Sequence, residues 1–313
     1  MDERLNWKKL GRVFQADGRH SWMHSYAYVP TAVRLHRERI RVFLAFRDRE
    51  NVGRIGWIDV AAQDPTRVIA VSEKPSLDIG KPGAFDDNGV TPVTAMQDGD
   101  ALRLYYAGWQ LTPRARYLLF TGLAISRDEG ETFIRYQDTP VLDRSPAEWL
   151  VRTGAHVMHE NGVWKIWYSA ASNLVTTGDR LTYTSHLAYA ESSDGVSWPQ
   201  RGIVSMQPRE PDEYGFGRPA IVNDGGLYRM WHSIRTHSQG YRIGYATSSD
   251  GVVWDRRDDE GGLPASAEGW DSEMTCFASV VDTENGRYMF YNGNDFGRTG
   301  VGVARLDISG SRS

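Results

Sequence analysis

The sequence predicts an all-β fold, a five-bladed β-propeller with four-stranded antiparallel blades, from two repeated lines and the absence of any helical period. The first line is Gly244-Tyr245-Ala246-Thr247-Ser248-Ser249-Asp250-Gly251-Val252-Val253-Trp254, which returns at 187–198 and, more loosely, at 122–133. Each copy reads as a strand, a tight polar turn and an aromatic anchor. Asp accepts backbone N–H bonds ahead of it, Gly takes the positive φ of the reversal, and Trp or Phe packs back on the sheet. The second line is a β-rich run at 41–46, 102–107, 164–169, 228–233 and 287–292. The runs are spaced roughly 60 residues apart, a period of propeller-like arrays.

The first 20 residues form a lead-in, whose segment 7–14 adds an outer strand to the last blade. Five blades follow at about 22–72, 85–136, 150–202, 212–258 and 270–306, and make one domain over 1–313. Their inner strands open at Ser25, Phe85, Val151, Glu213 and Asp271. Asn161-Gly162 and Asn285-Gly286 sit between β-rich runs, a strong hairpin signal, and Asn223-Asp224-Gly225-Gly226 plays the same part in blade four. Segments 137–150, 172–185 and 203–213 are longer than hairpin turns and are expected as loops gathered at one mouth of the channel. The polar tail 308–313 is expected to be disordered.

Composition supports a large core and narrows the partners. Eleven Trp, 15 Tyr and 10 Phe suit strands, and 32 Gly fit many turns. A net charge of −4 excludes the basic field that grips nucleic acid. The one cysteine, Cys276, leaves no disulfide framework. The first residues hold acids and no apolar core, and no segment reaches about 18 apolar residues, so a cytoplasmic protein with no membrane partner is expected.

The inner strands with a polar residue before Pro, the Trp167-Tyr168-Ser169-Ala170 strand and the Ala-x-Ser-x-Asp-Gly-x-x-Trp turn resemble the five-bladed β-propeller glycoside hydrolases and phosphorylases. These include arabinanases and xylosidases, invertases and levansucrases, and mannoside phosphorylases. The likeness runs from about 22 to 306. In the arabinanase and invertase branches it implies three acids at the channel ends of the first three inner strands. Aligned on Pro30, Pro92 and Pro219, the matching positions here are Val29, Thr91, Thr153, Arg218 and Cys276, and none is an acid. That triad does not carry over.

Other acids are nearby. Asp87 lies four residues before Thr91, in phase with its face on a strand of period two, while Glu213 and Glu273 enter the same rim from blades four and five. These three are the candidate catalytic residues, with Asp87 or Glu273 as general acid. Candidate substrate-binding residues are His24, Arg47, Asp48, Asp86, Trp109, Arg152, His156, Arg218, His232, Arg235, Asn292 and Asp295. Such a mouth, rich in fork donors, imidazoles and an aromatic platform, suits a small-molecule carbohydrate that is phosphorylated or nucleotide-linked. The histidines lack ligand spacing, so neither metal nor cofactor is expected.

The function implied is a carbohydrate-active enzyme acting on a glycosidic or glycosyl-phosphate bond of an intracellular sugar. Phosphorolysis is the favoured subtype, because phosphate as the attacking group calls for arginines in place of a protein base. The alternative is a propeller that binds a sugar or nucleotide sugar without catalysis.

Overall fold

The computed structural model describes residues 4–178 and 180–307, and the tail expected to be disordered lies outside them. Its strands form three four-stranded sheets and one eight-stranded sheet, and dividing the last at its short parallel pairing of 119–120 with 151–152 gives five antiparallel groups of four. The first is β2 (Ser25–His36), β3 (Arg39–Arg47), β4 (Gly53–Ala61) and β5 (Asp64–Val71), and the second is β6 (Val90–Asp98), β7 (Ala101–Thr112), β8 (Arg116–Ser126) and β9 (Ile134–Arg135). The third is β10 (Val151–Glu160), β11 (Val163–Thr177), β12 (Arg180–Ser192) and β13 (Ile203–Met206). The fourth is β14 (Glu213–Asp224), β15 (Leu227–Thr236), β16 (Arg242–Ser248) and β17 (Asp255–Arg256). The fifth combines β18 (Cys276–Thr283), β19 (Gly286–Asn292) and β20 (Val301–Asp307) with β1 (Asn6–Phe14), which pairs antiparallel with β20. The expected outer strand at the beginning of the chain is thus in place.

The repeated line has a tertiary purpose. Asp194 Oδ1 accepts N–H bonds from Val196 and Ser197, and Asp250 Oδ1 accepts them from Val252 and Val253. Each turn then offers a carbonyl to the neighbouring group's second strand. Tyr105 on β7 donates to Gly195 O at 2.8 Å, and Trp167 on β11 donates to Gly251 O at 2.5 Å. Arg41 on β3 reaches Glu129 O at 3.0 Å. The buried aromatics of the second strands therefore bond as well as pack. The N–H groups of Ser197 and Val196 hold the Asp194 carboxyl well below its ordinary value of 3.8. A folded-state value below the unfolded one adds stability that is present above about pH 4 and is lost as pH falls. Denaturant melts of Asp194→Ala should therefore differ from wild type at pH 7 and converge with it on acidification.

Two expected loops are built otherwise. Segment 172–185 is a hairpin arm, because β11 runs on to Thr177 and β12 starts at Arg180, with Gly178 turning at φ 60°. Its β-branched and aromatic residues, Val175, Thr176, Thr182, Tyr183 and Thr184, favour a ladder over a loop. Part of 203–213 is likewise strand, as β13. The second group's first strand, β6, starts at Val90, later than expected, since 85–88 form a turn before it.

The first strands β2, β6, β10, β14 and β18 touch in cyclic order, β18 meeting β2. Side chains tie neighbouring groups together: Thr94 Oγ1 donates to Ala155 O on β10, Ser169 Oγ on β11 to Phe216 O on β14, and Phe277 N–H on β18 donates to Ser233 Oγ on β15. Each first strand also carries one extra residue relative to its partner, between Tyr28 and Thr31, Pro92 and Thr94, Thr153 and His156, Phe216 and Pro219, and Cys276 and Ser279. Such bulges re-aim side chains. They also correct the alignment on prolines: register makes Val29, Pro92, Gly154, Arg218 and Phe277 equivalent, one residue later in three of the five. Val29, Gly154 and Phe277 share the left-handed conformation, with φ of 53°, 64° and 56°.

Candidate binding site

Half-buried aromatic side chains cluster at the starting ends of the first strands and on two hairpin arms, at 109–117 and 172–185. Trp109 and Tyr117 lie with ring centroids 5.0 Å apart, and Tyr117 meets Tyr183 of the second arm at 6.1 Å. The guanidinium of Arg235 lies 4.1 Å from the Tyr183 ring and 4.5 Å from that of Tyr214. Tyr241 packs on Phe277 and on Phe296, at 6.1 and 4.9 Å. Asp295 follows, 3.4 Å from the Tyr26 hydroxyl, and Arg47 covers the rings of Tyr26 and Tyr28 at 4.2 and 4.9 Å. The bridge between Gly53 and Gly89 returns the circuit to Trp109: a Cβ on Gly53 would meet the Tyr28 hydroxyl, and one on Gly89 would lie 3.7 Å from the Trp109 Cβ.

The electrostatics of this end differ from the rest of the molecule. Four arginines are nearly fully buried: Arg41, Arg152, Arg218 and Arg235. Arg41 pairs with Asp59 at 2.8 Å and Arg152 with Glu148 at 2.7 Å. Arg218 and Arg235 have no carboxylate partner among the described residues. Arg218 leaves β14 to donate to Val93 O at 2.9 Å and to Pro30 O, so it joins three first strands through backbone carbonyls alone. Burial pushes its guanidinium down to about 9, and burial together with the Arg218 cation pushes His156 down to about 3, so His156 is neutral at pH 7. Arg235 donates to Ser185 Oγ and Thr182 Oγ1. Burial holds the facing Tyr183 phenol up at about 12, so it offers a ring face and no charge.

The predicted acids do not meet as free carboxylates. Asp87 precedes β6 in the turn, where its Oδ2 accepts the Gly83 N–H at 2.8 Å. Glu213 is buried and bidentate with Arg256, both contacts 2.8 Å, and accepts the Arg209 N–H. Although burial alone would raise it, the Arg256 guanidinium holds its carboxyl below the ordinary value. Glu273 is exposed, and its backbone N–H is held by Asn294.

Several predicted binding residues are committed within the fold. Asp86, Glu148 and Asp271 are one device used three times: each buried acid accepts from a second-strand tyrosine, Tyr106, Tyr168 or Tyr291, and pairs with Arg135, Arg152 or Lys9. His232 takes the tyrosine's place in the fourth group, 3.5 Å from Asp258, so it is core and not rim, and burial lowers it to about 4. Asp48 caps its turn by accepting from Glu50 and Val52 N–H and from Arg54. Asn292 accepts from Val29 N–H and donates to Ala27 O and Gly300 O. His24 is exposed beside η1 (Ser21–Met23). Cys276 is buried, and burial raises its thiol.

His156 packs against Trp167 and Arg218 is buried between first strands; of the predicted set, Arg47, Trp109, Arg235 and Asp295 touch the aromatic cluster. Its tyrosines and phenylalanines had no signal beyond their position at strand ends. Among the described residues, no group of three or more His, Cys, Asp or Glu could hold a metal ion, and no helix is long and apolar enough to cross a membrane.

No family model matches the chain. It is 32% identical over 303 residues to uncharacterized protein Rv1502 of Mycobacterium tuberculosis (strain ATCC 25618 / H37Rv), covering 97% of this chain and 100% of that protein. The counterpart MT1551 of strain CDC 1551 / Oshkosh gives the same identity and coverage. Among solved structures, a glycosyl hydrolase from Bacteroides ovatus has a TM-score of 0.76 at 14% identity, covering 98% of this chain and 95% of its own. The β-1,2-mannobiose phosphorylase of Listeria innocua, in complex with β-1,2-mannobiose, has a TM-score of 0.69 at 12% identity, covering 98% and 97%. The chain belongs to the family of the two mycobacterial proteins, and its fold is that of the propeller glycoside hydrolases and phosphorylases.

Proposed function

We propose that the five four-stranded groups are the blades of one closed propeller, and that the aromatic cluster forms a cup at one end, which binds a carbohydrate bearing an anionic group and acts on its glycosidic or glycosyl-phosphate bond. One observation carries this reading: of the four nearly buried arginines, Arg218 and Arg235 have no carboxylate partner among the described residues, and Arg235 lies against the aromatic rings, whereas Arg41 and Arg152 are neutralised. A buried cation without a counter-ion is costly, and an anionic ligand offsets that cost. Half-buried aromatic faces suit the apolar faces of sugar rings. Arg47, half-buried and stacked on two tyrosines, is the guanidinium best placed to meet the anion. Phosphorolysis fits best among the glycosyl reactions, because it asks for arginines and one proton donor where hydrolysis asks for two carboxylates.

Calorimetry with β-1,2-mannobiose, sugar phosphates, uronic acids and nucleotide sugars, with and without inorganic phosphate, tests the reading. An anionic ligand should bind with an affinity that falls with salt and drops about tenfold or more in Arg47→Met. Equal binding of neutral sugars, untouched by that substitution, would overturn it.

A second reading, binding without chemistry, draws on the engagement of Glu213 by Arg256 and of Asp87 by its turn. Tight binding with no product after prolonged incubation with phosphate would favour it.

A further inference from the structure

We propose that Asp295 is the group that protonates the leaving oxygen and that Tyr26 is the positioning residue that aims it; this rests on the cup being a glycosyl-transferring site. Among the described residues, nine other than glycine have left-handed backbone. Asn51, Glu129 and Asn161 sit in turns between strands, where that conformation is ordinary, and Arg116 opens β8 directly after such a turn. The other five converge between the fifth and first groups: Tyr26 (φ 62°), Val29 (53°), Phe277 (56°), Asp295 (50°) and Phe296 (55°). Bulky residues hold this conformation only when their surroundings impose it, and such outliers cluster at functional sites. Here the surroundings are identifiable, since Asn292 clamps the Val29 N–H and Phe296 packs against Phe277.

The strain presents one carboxylate to the cup. The Asp295 side chain is 47% exposed, in contrast to the internal acids Asp86, Glu148 and Asp271. Its polar contacts, with the Tyr26 hydroxyl and the Arg298 guanidinium, both 3.4 Å, fall on Oδ2. Oδ1 has no hydrogen-bond partner among the described residues and is open to a ligand. Tyr26 is itself fixed by Arg47, whose guanidinium lies 4.2 Å from its ring, so the proposed anion site and the proton donor share one support. In the step, the Oδ1 proton passes to the glycosidic oxygen as its bond to the anomeric carbon breaks. An oxygen of hydrogen phosphate bonds to that carbon, giving a free alcohol and a glycosyl phosphate. The Asp295 carboxylate then regains a proton from the glycosyl phosphate through solvent.

The test uses the full chain with β-1,2-mannobiose and the other disaccharides of a panel, each with inorganic phosphate, and with the matching glycosyl fluorides, whose leaving group needs little protonation. Asp295→Asn should lower kcat on the disaccharide about a thousandfold while fluoride turnover stays within about tenfold of wild type. Tyr26→Phe should lower kcat with KM unchanged. Full disaccharide activity in Asp295→Asn would sink the proposal, as would equal loss of both activities in a variant with wild-type circular dichroism. Wild-type protein that binds these probes without turning any over would overturn the proton-donor role and leave the binding reading standing; protein that binds none would remove both.

Discussion

Replacing Arg256 with Met should cost about 3–5 kcal/mol of stability at pH 7, the penalty of leaving one partner of a buried ion pair behind. The partner is Glu213, whose carboxylate is bonded by both terminal nitrogens of Arg256. Asp258, also held by Arg256 at 2.7 Å, loses the same cation. In wild type the folded-state value of Glu213 lies below its ordinary 4.5, so its contribution is present above that pH and lost as pH falls. In the variant the deserted carboxyl takes up a proton instead. The gap between the two proteins in urea denaturation should therefore be widest at neutral pH and narrow below about pH 5. If Glu213 is instead a free catalytic acid, Arg256→Met would be nearly neutral for stability.

The second large effect is expected at Asn292→Ala, where three buried backbone groups lose their only side-chain partner: Val29 N–H, Ala27 O and Gly300 O. An unsatisfied buried group costs about 1–3 kcal/mol, so a total of about 3–5 kcal/mol follows once the site relaxes. The loss should be local as well as global. Hydrogen exchange should rise first over residues 25–30, and ligand affinity should fall with it, because this clamp holds the backbone that presents Tyr26 and Tyr28. Uniform loss of protection, with residues 25–30 no faster than the rest, would show that the clamp does not govern that strand.

Much of the architecture could be read from the chain because its signals are local. The Asp-Gly turns at Asp194 and Asp250 are made from residues within three positions of each other, and their accepted N–H groups are those expected from spacing alone. The site was harder to read for the opposite reason. Glu213 and Arg256 are 43 residues apart, so nothing in the first announces that the second neutralises it. Arg218 closes contacts across 125 and 188 residues to carbonyls, which leave no mark in a sequence. Asp87 reads as part of the strand but lies in the turn before it, because Asn88-Gly89 reads equally as the middle of a strand face or the end of a turn. His232 looked like a rim residue because its neighbours in the repeat, Tyr168 and Tyr291, show their buried acid partners only in three dimensions.

The pairing of β1 with β20 sets the order in which this molecule can be completed on the ribosome. Asn6 is opposite Asp307, so β1 has no mate until β20 has been made. The strand groups between them can form from contiguous sequence as they appear, while the group that holds β1 and β20 waits. Removing 4–14 or 301–307 should therefore unzip the same seam from either side.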